Sequence, residues 1–165
     1  MSKAINSAST NNIKKILHFP SGYSVTNNSV YFLRGKIAEI YRRNELYTKL
    51  LNFNHRNDSR VISYGITPKM AIFVPKEKTI FVIENRLQKT AYYVYRKLQA
   101  CDFKNKQYKK LFGPLGIIVK YVYILNDWFE KDEYRDVLAY VKSVGCYYFF
   151  HELPLSFLGL LEPAK

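Results

Sequence analysis

The sequence predicts a mixed α/β fold, a single sheet flanked by helices, with elements in the order α-β-β-β-α-β-α-β. Three observations carry this. Two short β-prone runs, 70–74 and 79–84, are joined through Pro75, Lys76, Glu77 and Lys78, which suits a hairpin. A nearly continuous apolar run at 116–125, interrupted by Lys120, has the character of a central strand. Between and beyond these, apolar residues recur at threes and fours, the spacing of helices that cover a sheet.

Residues 1–12 are small and polar and are expected to form a flexible tail; one domain is expected to occupy 13–165. Residues 13–19 lead into a turn at Pro20, Ser21 and Gly22. From 29 to about 53, Val30, Leu33, Ile37, Ile40, Tyr41, Tyr47, Leu50 and Leu51 give a helical stripe with Ser29 as N-cap. Arg34, Lys36, Glu39, Arg42, Arg43 and Lys49 then form its solvated face. A polar loop at 54–59 precedes a first strand at 61–66, followed by the hairpin strands. A second helix is expected over 90–111, with a break near 102–104 and a stop at Gly113 and Pro114. After the central strand come a third helix at 132–144, a strand at 146–150 and an apolar terminal segment at 154–161.

The full chain of 165 residues has room for one ordinary domain, and 48% hydrophobic content with 15 Tyr and 11 Phe excludes a disordered protein. Lys and Arg number 26 against 13 Asp and Glu, a formal charge of +13. Such an excess favours a polyanionic partner through phosphate neutralisation and counterion release; a basic, solvated surface is the plainer reading. No stretch of 18 apolar residues is present, and the charge is spread along the chain, so a membrane partner is not expected. Cys101 and Cys146 lack metal-ligand spacing, His18, His55 and His151 are scattered, and residues 1–12 lack the apolar run of a signal peptide. A cytoplasmic protein with reduced thiols and no zinc site is expected.

The stretch Thr67, Pro68, Lys69, Met70, Ala71, Ile72, Phe73 and, on the next strand, Ile83, Glu84, Asn85, Arg86, Leu87, Gln88 resembles the core of the PD-(D/E)XK, or restriction endonuclease-like, nucleases. Members of that superfamily carry Pro-Asp at the start of one strand and Glu-x-Lys, often followed by x-Gln, at the end of the next. Arg96, Lys97 and Leu98, the stretch from Tyr121 to Phe129 and that from Tyr147 to Pro154 resemble one branch of small restriction enzymes, so the likeness spans about residues 29–161. It implies a restriction endonuclease-like mixed sheet and Mg²⁺-dependent chemistry, in which two carboxylates hold the ion against a phosphate and the lysine positions the nucleophile.

The chain departs from that pattern where chemistry is decided. Glu84 keeps the second acidic position, and with it a metal-ligand role, and Gln88 keeps the amide. Lys69 stands where the aspartate belongs, which removes an oxygen donor, and Arg86 replaces the lysine with a group that stays protonated. Tyr92 and Tyr93 stand where the branch has small residues, and Arg96 where it has an acid. Glu39 would supply the extra acid that many members carry on the first helix. Glu84, Gln88 and Glu39 are therefore the catalytic candidates if the site is active. Lys69, Arg86, Lys89, Tyr92, Tyr93, Arg96 and Lys97 are the nucleic-acid-binding candidates. Each has a plainer role: Glu84 as an ion-pair partner of Lys69 or Arg86, Glu39 as a solvated carboxylate, the tyrosines as core.

The first expectation is a binder of double-stranded DNA with a nuclease-derived fold and an inactive metal site, needing no cofactor. As a homodimer it would act as a repressor, a site competitor or a defence or counter-defence factor, and its Lys, Asn, Ile, Tyr and Phe content suits a phage or mobile element. The alternatives are an endonuclease that uses Mg²⁺ with migrated catalytic residues, and a protein-interaction subunit that binds through its aromatic C-terminal region.

Overall fold

The structure, a computed structural model, describes residues 13–51, 61–63, 65–86 and 91–160, without the side chains of Arg86, Ala91 and Tyr92. Two hairpin turns begin the fold. Asn27 and Asn28 at one, and Leu33 and Arg34 at the next, all have positive φ, the backbone that lets a two-residue loop follow the twist of its strands. They connect β1 (Tyr23–Thr26), β2 (Ser29–Phe32) and β3 (Gly35–Tyr41) in antiparallel order. β3 then pairs antiparallel with β4 (Met70–Val74), and β4 with β5 (Thr79–Arg86).

Beyond β5 the chain crosses through α1 (Ala91–Gln99) and α2 (Cys101–Phe112) to β6 (Ile118–Leu125), parallel to β5. It crosses again through α3 (Arg135–Ser143) to β7 (Tyr147–Phe150), parallel to β6. Among the described residues the sheet thus has seven strands in chain order, mixed in direction. Alternation of side chains along the strands sends one set to each face. Ile80, Val82, Tyr121 and Tyr123 meet Val94, Leu98, Tyr108, Phe112 and Val137 on the face covered by α1, α2 and α3. Phe81, Ile83, Val122 and Ile124 meet Ile13, Ile16, Leu17, Leu155 and Leu158 on the other.

Lys120, the one charge in the β6 run, is accommodated on that second face. Its ammonium lies 5.6, 5.9 and 5.1 Å from the ring centres of Phe81, Tyr147 and Phe157. Phe149 also packs edge-on against Phe157, at 4.9 Å. Much of the apolar surplus of the C-terminal region is therefore used within the chain. Cys101 and Cys146 are free and buried in the helical core. Their thiols hydrogen-bond, which holds Cys101 below the ordinary thiol range and, with burial, pushes Cys146 above it.

The segment expected to be the first long helix, 29–53, is instead two strands and a turn of π-helix at Leu46–Leu51. Its apolar residues fall at threes and fours, but positive φ at Leu33 and Arg34 reverses the chain between Phe32 and Gly35. The β-branched and aromatic side chains on either side then pair as strands. The strand expected at 61–66 is absent from its described residues. β3 occupies the place beside β4 that this strand would need, while Ile62 is buried in the helical core as part of a loop. The break in the second helix falls at Ala100, slightly before the expected position. The expected tail at 1–12 and loop at 54–59 lie outside the described residues. Among the described residues no helix is long and apolar enough to cross a membrane.

Leu33 is 73% exposed and holds φ 47°, followed by Arg34 at φ 71°. A left-handed backbone costs an ordinary residue on the order of 1 kcal/mol that glycine is spared. Arg34→Gly is expected to raise stability by about 1 kcal/mol, a thermal midpoint shift of about 3 °C, measured by calorimetry.

Candidate nucleic-acid interface

Because β3, β4 and β5 run antiparallel and β5, β6 and β7 parallel, five strand ends share one edge of the sheet. Tyr41 pairs with Ala71, Met70 with Ile83, Arg86 with Leu125, and Leu125 with Phe150. The carboxyl ends of β3, β5, β6 and β7 therefore lie beside the start of β4, the kind of edge where open α/β sheets form crevices.

A cleft of about 500 Å³ lies at the β3, β4 and β5 part of this edge, lined by Lys15, Ile16, Arg42, Arg43, Lys69, Met70, Ile83 and Asn85. Each cation has a local reason to be there. Ile13, Ile16 and Leu17 are buried on one side of a helical turn, which leaves Lys15 exposed beside the sheet. The Leu153 N–H donates to the Ile16 carbonyl at 2.7 Å and anchors that turn to the C-terminal segment. At the end of β3 a tight turn forms: the Glu45 N–H donates to the Arg42 carbonyl at 2.8 Å, and the Arg42 N–H to the Glu45 carboxylate at 3.0 Å.

Within that turn Arg43 takes a left-handed backbone, φ 43°, and its N–H donates to the Pro68 carbonyl at 3.1 Å. This bond ties the exit of β3 to the entry of β4 and sets Arg42 and Arg43 beside Lys69. The Lys69 ammonium donates to the Asn85 carbonyl at 2.9 Å, at the end of β5. Among the described residues no carboxylate lines the cleft, which gathers four cations around a floor of Ile16, Met70 and Ile83.

The expected site residues divide among several places. Lys69 lines the cleft. Glu84, 5% exposed, lies opposite Tyr123 in the β5–β6 register and faces the helical core, where its charge helps raise the pKa of the Tyr108 and Tyr121 hydroxyls, with burial as the larger cause. Tyr93, Arg96 and Lys97 are exposed on α1, over the helical face, away from the floor of the cleft. Gln88, Lys89 and the side chains of Arg86 and Tyr92 lie outside the described residues.

Glu39 sits on a strand, and not on the helix expected for it. It pairs with Phe73, which pairs with Ile80, four residues before Glu84. At about 3.3 Å per residue and 4.8 Å per strand, the two backbones are about 13 Å apart along the strands and 10 Å across them. That exceeds the combined reach of two glutamates to a single Mg²⁺, which needs oxygens at about 2.1 Å. The structure does not bring Glu39 and Glu84 together. Instead the Glu39 carboxylate receives the Tyr41 hydroxyl and pairs with the Lys36 ammonium.

One other group of possible metal ligands occurs among the described residues. Asp127, Glu130 and His151 lie at the ends of β6 and β7, all exposed, with the His151 Nε2 2.6 Å from an Asp127 carboxylate oxygen. The turn after β6 is closed by the Asn126 side chain, which accepts from the Trp128 N–H, and buried Phe129 plugs the core.

Sequence reasoning missed Lys15, Arg42 and Arg43. The signal available for the last two was a pair of arginines directly after a run of alternating strand character, which was read instead as one face of a helix. Comparisons of the chain with protein-family models, curated proteins and solved structures find no match.

Burial raises the Glu39 pKa, but the hydrogen bonds from Lys36 and Tyr41 and the Lys36 charge outweigh it and hold the carboxyl below its usual range. A folded value below the unfolded one adds stability above the unfolded pKa, about 4.3, and that contribution fades as pH falls through the folded value. Glu39→Gln is expected to lower the thermal midpoint equally at pH 7 and 5, with the gap closing below about pH 4. Thermal melts across this range check it; a Mg²⁺-dependent midpoint that the substitution abolishes would restore a metal-ligand role.

Proposed function

We propose that this chain is a DNA-binding protein that holds the sugar-phosphate backbone in the cleft of Lys15, Arg42, Arg43 and Lys69, on a restriction endonuclease-like scaffold whose motif site no longer cuts. The observation that carries the reading is the cleft itself: four cations from three separate segments converge at one sheet edge, with no carboxylate among the described lining residues. Arginine forks and lysine ammoniums are the groups that grip phosphate. A formal charge of +13 adds long-range attraction for a polyanion.

The nuclease-derived scaffold rests on the resemblance of the 67–73 and 83–88 stretches; the antiparallel β3–β4–β5 with a helical crossover to parallel β6 is a mixed sheet that such a scaffold can share with other α/β folds. Loss of cutting follows from Lys69 at the aspartate position and from the separation of Glu39 and Glu84. Occupation of a DNA site without cleavage is how a repressor, a site competitor or a defence or counter-defence factor acts. The second reading, a metal-dependent endonuclease, is favoured by one observation, the Asp127, Glu130 and His151 group on the same sheet edge.

Supercoiled plasmid titrated with the protein in Mg²⁺ and in Mn²⁺, with half of each sample stripped by detergent, separates these readings. Retarded DNA that returns intact is expected; nicked or linear product would replace this reading with the endonuclease. Arg43→Ala and Lys69→Ala are each expected to weaken duplex binding about ten-fold at low salt. Each should also reduce the slope of log affinity against log salt by about 0.9, the loss of one phosphate contact. Unchanged affinity and slope in both variants would move the binding surface elsewhere.

A further inference from the structure

A surface that only follows a duplex backbone needs cations at phosphate spacing and nothing beneath them. This cleft has a depth and a floor. Its volume of about 500 Å³ falls in the range of small-molecule sites. Ile16, Met70 and Ile83, each at most 8% exposed, form its apolar base. Lys15, Arg42, Arg43 and Lys69 are its polar cations, and half-buried Asn85 contributes an amide beside the floor.

From this layering we infer that the cleft receives a single unstacked nucleotide, its base on the floor and its phosphate among the cations. The planar face of a base is apolar and polarisable, and methionine sulfur and aliphatic side chains are suitable surfaces for it. An asparagine amide offers a donor and an acceptor together, the pattern that meets a base edge. An arginine pair beside two lysines holds the phosphate by forked bonds and by point charge. Such a nucleotide has two sources, a strand in which it is already unpaired and a free nucleotide; the first of these rests on the DNA-binding reading above.

The test measures affinity at one salt concentration for two duplexes, fully paired or carrying one unpaired 2-aminopurine, with base fluorescence as a second readout. The duplex with the unpaired nucleotide is expected to bind about ten-fold tighter, because its base leaves the stack without the unstacking cost. A deoxynucleoside monophosphate at millimolar concentration is expected to abolish that preference, whereas inorganic phosphate at the same concentration leaves it in place. Asn85→Ala is expected to cut the ratio to about two- or three-fold, and Arg43→Ala to weaken both duplexes. Equal affinity of the unsubstituted protein for the two duplexes, without a change in fluorescence, overturns the inference and leaves DNA binding standing. Binding of the monophosphate without binding of either duplex supports the nucleotide site and overturns the DNA-binding reading. Binding of none of these ligands overturns both.

Discussion

Eight residues of β5 lie in parallel register with eight of β6, and both strands are covered on both faces. A parallel pair cannot be joined by a tight turn, so the chain between them must leave the sheet and return, which α1 and α2 do. Two buried faces also require two layers. The helices supply one, and the turn at 13–17 with the segment Leu155–Leu158 supplies the other. Each large apolar side chain sealed between the layers contributes about 1.5–3 kcal/mol, so this pairing concentrates much of the stability of the fold in its centre.

The same pairing builds the edge that carries the cleft. With β5, β6 and β7 aligned, their carboxyl ends emerge together, and the antiparallel strands bring the end of β3 and the start of β4 to the same line. Arg43, held on the Pro68 carbonyl, and Lys69, held on the Asn85 carbonyl, are then neighbours although they are far apart in the chain. Cations cluster at the ends of β3, β4 and β5, while Asp127 and Glu130 lie with His151 beyond β6 and β7.

Glu84 and Lys69 lie on opposite sides of the same sheet edge. Glu84 is nearly sealed within the helical side of the sheet, among tyrosines, while Lys69 has turned its ammonium to the main chain of β5. Among the described residues Glu39, the other expected acid, lies too far along the sheet to share an ion with Glu84. The four cations lie nearest the other, apolar-floored side of the edge.

From Met70 onward the sequence by itself determined the architecture. Uninterrupted apolar runs at β5 and β6, Gly113 with Pro114, and Gly145 mark elements whose length and punctuation leave little choice, and they are close to where the residues alone place them. Before Met70 it did not. Val30, Leu33, Ile37 and Ile40 satisfy a helical period, and only pairing with neighbouring strands, which no local spacing encodes, resolves them as β-structure. Lys69 and Glu84 are singled out in the sequence only through the resemblance, and of the two Lys69 lines the cleft. Lys15, Arg42 and Arg43 are not singled out there, because a cleft is a property of strand ends brought together by register, and register is settled by packing across the sheet.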